Sequence, residues 1–315
     1  MPERSWREAR IDRALAFVIQ ARRADPFPPT DARGQGSDCS GLNAMTVPLI
    51  SIIIPHFQTP DLACLCLRSI RRHTRDVPHE VIVVDNHSRD GQSLEYLRSV
   101  EWIRLIERTD GVTAGPLGHK EAVDIGFAAA SAPFVMAFHT DTIPIRDDWL
   151  SWHVEQLTAD PRIAAVGTYK LELKSPWLLR LRSWSETLFG KNHSRAERGD
   201  HRPYVRSHCA LYRRDVLQQL GLRYNANPQE TAGRDVHFAL EQHGYVVKLL
   251  SLEETMRRVA HLNHGTVTLL PELGASGRTI RKGRRRIERF FARPDIRAVY
   301  GDETLDRLDP LHKAA

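Results

Sequence analysis

Apolar runs of strand length alternate with amphipathic stretches through the middle of the chain. Residues 49–54 (LISIII) form a continuous β-branched run closed by Pro55, and residues 80–84 (EVIVV) form a second. Runs this short and this poor in polar side chains suit central strands covered on both faces. Between them, Leu62, Leu65, Ser69 and Ile70 mark one face of a helix over 61–73, with Thr59 or Asp61 as its cap. Residues 102–106 read as a third strand. Residues 120–130 read as a small-residue helix able to pack closely on a sheet, leading into the apolar run 134–138 (FVMAF). Strands alternating with helices imply right-handed crossovers and a mostly parallel sheet.

After Asp141 the pattern loosens. It predicts a strand over 162–173 and a helix over 176–189 with Ser175 as cap, Pro176 at the first position and Gly190 at the end. Short helices follow over 214–220 and 235–243, and a late strand over 245–250. Residues 1–46 stand apart: 25–41 (DPFPPTDARGQGSDCSG) is rich in Pro, Gly, Asp and Ser and reads as a linker. These residues are expected to be an extension and linker, with Met45 just before the first strand as an alternative start.

Composition narrows the class. A chain of 315 residues with 41% hydrophobic and 27% charged residues is that of a globular protein with ample core. The apolar run at 47–54 is far short of a membrane span. Cys39, Cys64, Cys66 and Cys209 have neither disulfide nor zinc-ribbon spacing, which suits reduced thiols in a cytoplasm. The net charge of +6 is local: residues 276–293 carry eight Arg or Lys against one Glu, so the rest is slightly acidic. That distribution argues against a nucleic-acid groove spread over the fold.

Two acids leave the carboxyl ends of strands expected to be neighbours: Asp85 after VIVV and Asp141 after FVMAF. Ligands of open α/β sheets bind at that edge. A carboxylate there can hold a divalent cation, and the cation can hold a diphosphate. A strand-terminal Asp is also a common turn former, so the pair is more telling than either member.

Five segments in order resemble the family 2 glycosyltransferases of the GT-A fold, over about residues 48–266. SIIIPHFQ (51–58) resembles that family's opening strand and loop, and VIVVDNHSRDG (81–91) its nucleotide-binding element. GHKEAVDIGFAAASAPFVMAFHTDT (118–142) is similar to the helix and strand leading to an Asp-x-Asp metal motif. HCALYRRDVLQQLGL (208–222) and TAGRDVHFALEQHGY (231–245) resemble the small-residue segment and the element whose Asp is the catalytic base.

The resemblance implies a GT-A (Rossmann-like) mostly parallel α/β sheet flanked by helices, with a less regular C-terminal acceptor region. The expected organisation is a transferase domain over 47–275, split near 142 into nucleotide-binding and acceptor halves, then a basic tail over 276–315. The implied activity is inverting transfer of a hexose-type sugar from a nucleotide-diphosphate sugar to an acceptor hydroxyl, in bacterial-type polysaccharide or glycolipid synthesis. Asp235 is the implied base, at a helix start where free N–H groups and the dipole favour the ionised form. The implied nucleotide-sugar set is Pro55, His56, Phe57, Gln58, Asp85, Ser88, Gly118, Lys120, Asp124, His139, Thr140 and Asp141. Asp85 would accept a hydrogen bond from the donor base, and Phe57 would offer it a stacking face. Asp141 and His261 would hold Mn²⁺ or Mg²⁺, with His264 the competitor for the second position.

The sequence departs from the family pattern at several points. His139 stands in place of the first Asp of Asp-x-Asp, Gln58 and Asp124 in place of Asn, and Arg234 in place of an acid. Two segments concern partners: the Trp177, Leu181, Trp184 and Leu188 stripe within 176–189, and the basic stretch 278–293. Both are able to rest on an anionic membrane surface, as for an enzyme at the inner face of a membrane with a saccharide or lipid-linked acceptor. The same stripe equally suits a core-packing face and the basic stretch a solvated helix. Two other functions compete: a catalytically weak nucleotide-sugar-binding protein, and a nucleic-acid-binding protein using the basic stretch.

Overall fold

A computed structural model describes residues 47–109, 115–169, 202–274 and 276–308. The expected extension (1–46) and the Trp/Leu stripe at 176–189 lie outside them.

The elements, in chain order, are β1 (Ile50–His56), α1 (Pro60–His73), β2 (His79–Asp85), α2 (Gln92–Ser99), β3 (Arg104–Glu107), α3 (Gly115–Ala129) and β4 (Phe134–Phe138). They continue with β5 (Thr142–Pro144), α4 (Trp149–Thr158), β6 (Ile163–Gly167), β7 (Cys209–Arg213), α5 (Arg214–Gln219), α6 (Arg234–Gln242) and β8 (Val246–Leu249). The last are α7 (Leu252–Met256), β9 (Val259–His261), α8 (Gly265–Leu269), α9 (Gly277–Phe291) and α10 (Pro294–Tyr300).

Seven strands form one sheet in the order β3-β2-β1-β4-β7-β6-β8, in which only β7 runs antiparallel to its neighbours. This is the mostly parallel α/β sheet flanked by helices that the sequence predicts. One expectation changes: β1 lies between β2 and β4, so Asp85 and Asp141 leave strands that are not neighbours.

The central strands are buried on both faces because their side chains alternate between two cores. Ile50, Ile52 and Ile54 point into one core with Leu62, Leu65 and Ile70 of α1 and Trp149, Leu150 and Leu157 of α4. Ile53, Val135 and Ala137 point into the other, with Ala122 and Val123 of α3 and Val236 and Leu240 of α6. Gly126 lets α3 lie close on the sheet, since a Cβ there would sit 2.1 Å from Ile53 Cγ2.

Pro55 does not close β1, which continues to His56. Leu49 O accepts from Phe134 N while His56 O accepts from Asn86 N, so alternate residues face β4 and β2. Pro55 therefore faces β4, whose ladder with β1 ends at Ile53↔Ala137. Its missing N–H removes no ladder bond.

The basic stretch expected as a tail is the helix α9, packed into the body. Gly283, Ile287 and Phe290 make its buried stripe, and a Cβ on Gly283 would sit 2.2 Å from Thr268 Oγ1 of α8. Downstream, Asp306 receives Arg68 Nε of α1 at 3.1 Å, and Trp102 Nε1 donates to Leu305 O at 2.7 Å. Arg68 also donates to Tyr300 O. The chain end is thereby fastened to the first helix of the sheet.

The Arg68–Asp306 pair is nearly enclosed, each side chain 9% exposed. Removing one member of such a pair strands a buried charge, at a cost of about 3–5 kcal/mol. Asp306→Ala should therefore lower unfolding stability by about 3 kcal/mol in urea titration. A loss below about 1 kcal/mol would mean that the C-terminal segment is not anchored through this pair.

Candidate functional site

Strand register brings the site together at the carboxyl end of β4. The antiparallel ladder pairs Phe138 with Cys209, and His139 N donates to His208 O at 3.3 Å, so His139 and His208 are neighbours. The two-stranded ribbon pairs Thr142 with His261, and Leu262 N donates to Asp141 O at 2.8 Å. Three stretches far apart in sequence thus meet around Asp141.

Asp141 is 5% exposed. Its Oδ2 accepts from Gly265 N at 2.8 Å, while its Oδ1 accepts no hydrogen bond although it is buried. His261 Nε2 lies 3.3 Å from Oδ1 and His139 Nδ1 lies 3.7 Å from it. Burial pushes this carboxyl up, but the neighbouring imidazoles, His261 before His139, outweigh burial and hold it well below the usual range. One ligand atom from each of His139, Asp141 and His261 lies within 4.8 Å of the others. An ionised carboxylate with an unbonded buried oxygen between two imidazoles fits a divalent cation.

The loop after β9 is shaped to deliver this arrangement. Asn263 and His264 both take left-handed backbone, with φ of 49° and 62°. Next to them Gly265 has no room for a side chain: a Cβ would sit 2.7 Å from Asp141 Cβ and 2.9 Å from Leu62 Cδ1. Arg286 of α9 donates to Leu262 O and Asn263 O, at 2.7 and 2.5 Å. His261 therefore faces Asp141, while His264 is exposed at the start of α8 and outside the cluster.

Sequence reading missed the groups behind the cluster. His208 stacks on His261, with centroids 4.8 Å apart and planes at 15°, and its Nε2 lies 2.8 Å from Thr168 Oγ1. Ser207 Oγ lies 2.9 Å from His139 Nε2 and 3.2 Å from His119 Nε2. Burial pushes His119 down to about 3 and His208 well below the usual imidazole range, with the neighbouring imidazoles adding to burial. Both rings are neutral at ordinary pH. No spacing in the sequence signals them: the β4–β7 register places Ser207 and His208, and the packing of α3 on the sheet places His119.

Asp85 belongs to a second cluster, at the end of β2. Its Oδ1 takes Ser88 Oγ–H at 2.6 Å and lies 2.8 Å from His56 Nδ1, while Oδ2 accepts from Ser88 N at 2.9 Å. Ser88 Oγ in turn accepts from Gln58 N at 3.0 Å, tying the loop after β1 to the loop after β2. Gln58 and His87 are both left-handed, with φ of 43° and 60°. The carboxylate expected to meet a donor base is 1% exposed and already occupied by these donors. Phe57 and Gln58 are half-buried at the rim.

Lys120 and Asp124 face elsewhere. Lys120 Nζ donates to the carbonyls of Asn227, Pro228 and Glu230 at 2.8, 3.0 and 3.1 Å. Asp124 accepts from Tyr224 N and Asn225 N at 2.7 and 2.9 Å. These two residues of α3 hold the loop that leads into α6, rather than joining either cluster. Gly118 and Thr140 are buried on α3 and just after β4.

Asp235 is half-buried in the first turn of α6, preceded by Gly233 at φ 84°. A Cβ on Gly233 would sit 2.8 Å from Val205 O, and Val205 N donates to His237 Nδ1 at 3.2 Å. The segment carrying Ser207 and His208 thus also sets where α6 begins. Arg234 pairs with Glu230 at 2.9 Å.

The chain belongs to glycosyl transferase family 2, whose family model matches residues 51–221. Among solved structures it is similar to a mannosyltransferase from Pyrobaculum calidifontis in complex with GDP-Man and Mn²⁺, at 20% identity and a TM-score of 0.48, over 77% of this chain and 63% of that one. The chain thus spans less than two thirds of that enzyme's length. It is also similar to glucosyl-3-phosphoglycerate synthase from Mycobacterium tuberculosis in complex with phosphoglyceric acid, at 20% identity and TM-score 0.44, over 77% and 80% of the two chains. TarS of S. aureus is similar at 13% identity and TM-score 0.44, over 77% of this chain and 43% of that one. No curated protein sequence matches the chain significantly.

Burial pushes the Asp85 carboxyl up, but hydrogen bonds from His56 and Ser88 bring it below the usual range. Its stabilising contribution is therefore complete above about pH 5 and is lost as pH falls through the lowered value. Asp85→Asn should lower stability at pH 7 by about 2 kcal/mol, with a smaller gap from wild type at pH 3, by chemical denaturation at each pH. A gap that stays constant between those pH values would mean the ionised form is not what the cluster holds.

Proposed function

We propose that the chain is an inverting transferase that moves a sugar from a nucleoside-diphosphate sugar to an acceptor hydroxyl, in building a bacterial-type cell-surface polysaccharide or glycolipid. One observation carries the reading: the buried Asp141 keeps an unbonded oxygen beside His139 and His261 where β4 leaves the sheet. A divalent cation, Mn²⁺ or Mg²⁺, bound there would neutralise the charge that develops on a diphosphate leaving group. Asp141 and His261 are the residues to hold it.

The remaining roles follow from position. Phe57 and Gln58 at the rim, with Pro55, His56, Asp85 and Ser88 beneath them, form the wall against which the donor base would lie. Asp85 shapes that wall by tying the two loops together. Lys120 and Asp124 support donor binding indirectly, by holding the 224–230 loop. Thr140 precedes Asp141 and Gly118 precedes His119, whose ring meets His139 at 4.6 Å, so both are assigned to the donor side of the site. Asp235 is the base that takes the proton from the acceptor hydroxyl, and a single displacement of that kind inverts the anomeric centre.

Among the described residues no helix is long and apolar enough to cross a membrane. The exposed face of α9 carries Arg278, Arg281, Lys282, Arg285 and Arg289, while its apolar stripe faces the body. A basic face held rigidly outward suits attachment to an anionic lipid surface, where a lipid-linked acceptor would be found.

Thermal-shift and calorimetric titration with nucleotide sugars, with and without Mn²⁺, tests the donor reading. Asp235→Asn should abolish transfer while donor affinity stays within about twofold of wild type, which separates base from binding residue. Full turnover in that variant would remove the mechanism. Donor binding without turnover in wild type would favour the sugar-nucleotide-binding protein instead.

Changing Arg278, Arg281, Lys282, Arg285 and Arg289 to Gln should reduce sedimentation with phosphatidylserine vesicles at least tenfold, each basic residue near such a surface being worth about 1 kcal/mol. Binding that survives the change would place membrane contact elsewhere. Steep salt-dependent binding to nucleic acid, lost with the same five changes, would favour the nucleic-acid reading.

A further inference from the structure

The donor atoms at the site differ in kind from those of an all-carboxylate centre. His139 stands where a carboxylate would supply oxygen, so the convergent set holds two imidazoles and one carboxylate. The surroundings of His139 accommodate a tautomer in which Nδ1 is open to a cation. Its Nε2 lies 2.9 Å from Ser207 Oγ, and that oxygen lies 3.2 Å from Nε2 of the half-buried His119. A serine hydroxyl donates once. If it donates to His119, it accepts from the Nε2–H of His139, and His139 Nδ1 is left as a bare lone pair.

In that tautomer the lone pair faces Asp141 Oδ1 across 3.7 Å, an oxygen with no hydrogen-bond donor of its own among the described residues. Two acceptors held toward each other repel unless positive charge lies between them. His261 Nε2 closes the third side at 3.3 Å from the same oxygen. Its ring is held flat against His208, which Thr168 fixes in turn. Metal-binding histidines are oriented through a hydrogen bond from the nitrogen that does not bind the metal, the part that Ser207 plays for His139 Nε2.

We propose that His139 is itself a metal ligand, that it makes this centre select cations accepting imidazole nitrogen (Mn²⁺, Co²⁺, Zn²⁺) over Mg²⁺, and that Ser207 is the positioning residue that sets its tautomer. The physical ground is ligand type: Mg²⁺ strongly prefers oxygen and sheds water reluctantly, whereas first-row transition cations bind imidazole well. The inference rests on reading the cluster as the metal centre of sugar transfer, and its test needs no turnover.

Isothermal titration of the full chain with MnCl₂ and with MgCl₂ measures the preference directly. Wild type should favour Mn²⁺ by at least about tenfold, and His139→Asp should shrink that ratio by about tenfold through tighter Mg²⁺ binding. Ser207→Ala should weaken Mn²⁺ about 10–100-fold without altering the ligand set. An unchanged ratio in His139→Asp overturns the proposal.

Pulsed electron paramagnetic resonance of Mn²⁺-loaded wild type reads the ligands without any variant. Two ¹⁴N couplings are expected, and a single one overturns the assignment of His139 even if the variants fail to fold. Sugar transfer by a protein with one nitrogen ligand would leave the proposed function standing without this inference. Two nitrogen ligands with no transfer from any nucleotide sugar would do the reverse.

Discussion

An ionised carboxylate has been folded into the interior at Asp141, and much of the molecule is arranged around that fact. Taking such a charge out of water costs several kcal/mol unless donors and opposite charge replace the lost hydration. Here one oxygen receives the Gly265 amide and the other is flanked by His261 and His139. The amide reaches its target because Gly265 has no side chain and because two preceding residues accept left-handed backbone. Strain of that kind persists only when surrounding structure fixes it. Arg286 supplies that restraint by holding both Leu262 O and Asn263 O, and α9 carrying Arg286 is seated through Gly283 against Thr268. Pinning the chain end to α1 through Asp306 completes the series. Helix α9 is thus a brace for the site rather than an appendage.

A second dependence runs through residues 204–208. Val205 donates to His237 and crowds Gly233, which fixes the start of the helix that carries Asp235. Two residues on, Ser207 and His208 contact His139 and His261. One short extended stretch therefore sets both the ring orientations beside Asp141 and the position of α6. Lys120 and Asp124 reinforce the same region from the opposite side, binding the carbonyls and amides of the loop before α6. Movement of this stretch would disturb the two ends of the site together.

Much of the sheet was legible because β1, β2 and β4 are uninterrupted apolar runs whose two faces both meet cores. Strand β7 was not read as a strand: five residues, CALYR, ending directly in a helix, have no period to read, and antiparallel pairing with β4 is what defines them. At α9 the charge hid the packing rather than the helix. Seven basic residues obscure a buried stripe of three positions, Gly283, Ile287 and Phe290, at helical spacing. Asp141 and His261 could be singled out from motif order, but their meeting depends on the β5–β9 register. Ser207 carries no motif, and His208 only opens the segment 208–222, with nothing to mark it as a site residue. Their place is a consequence of pairing between residues about 70 apart, which local sequence does not encode.

Asp85 and Asp141 look alike in sequence, each an acid just beyond a buried strand, yet their surroundings have opposite effects. At Asp85 the following loop turns back and returns the Ser88 amide and hydroxyl, so both oxygens are occupied and the carboxylate becomes a fastener between two loops. At Asp141 the following chain leaves as a ribbon strand, and among the described residues the backbone donor that reaches the carboxylate is the distant Gly265 amide, on Oδ2. The difference lies in the loops: Asn86 to Ser88 can supply donors within three residues, whereas Thr142 to Pro144 are committed to pairing with β9. A strand-terminal acid is therefore structural where its own loop satisfies it. It is available for chemistry where the loop is engaged elsewhere and leaves an oxygen with nothing but imidazoles to face.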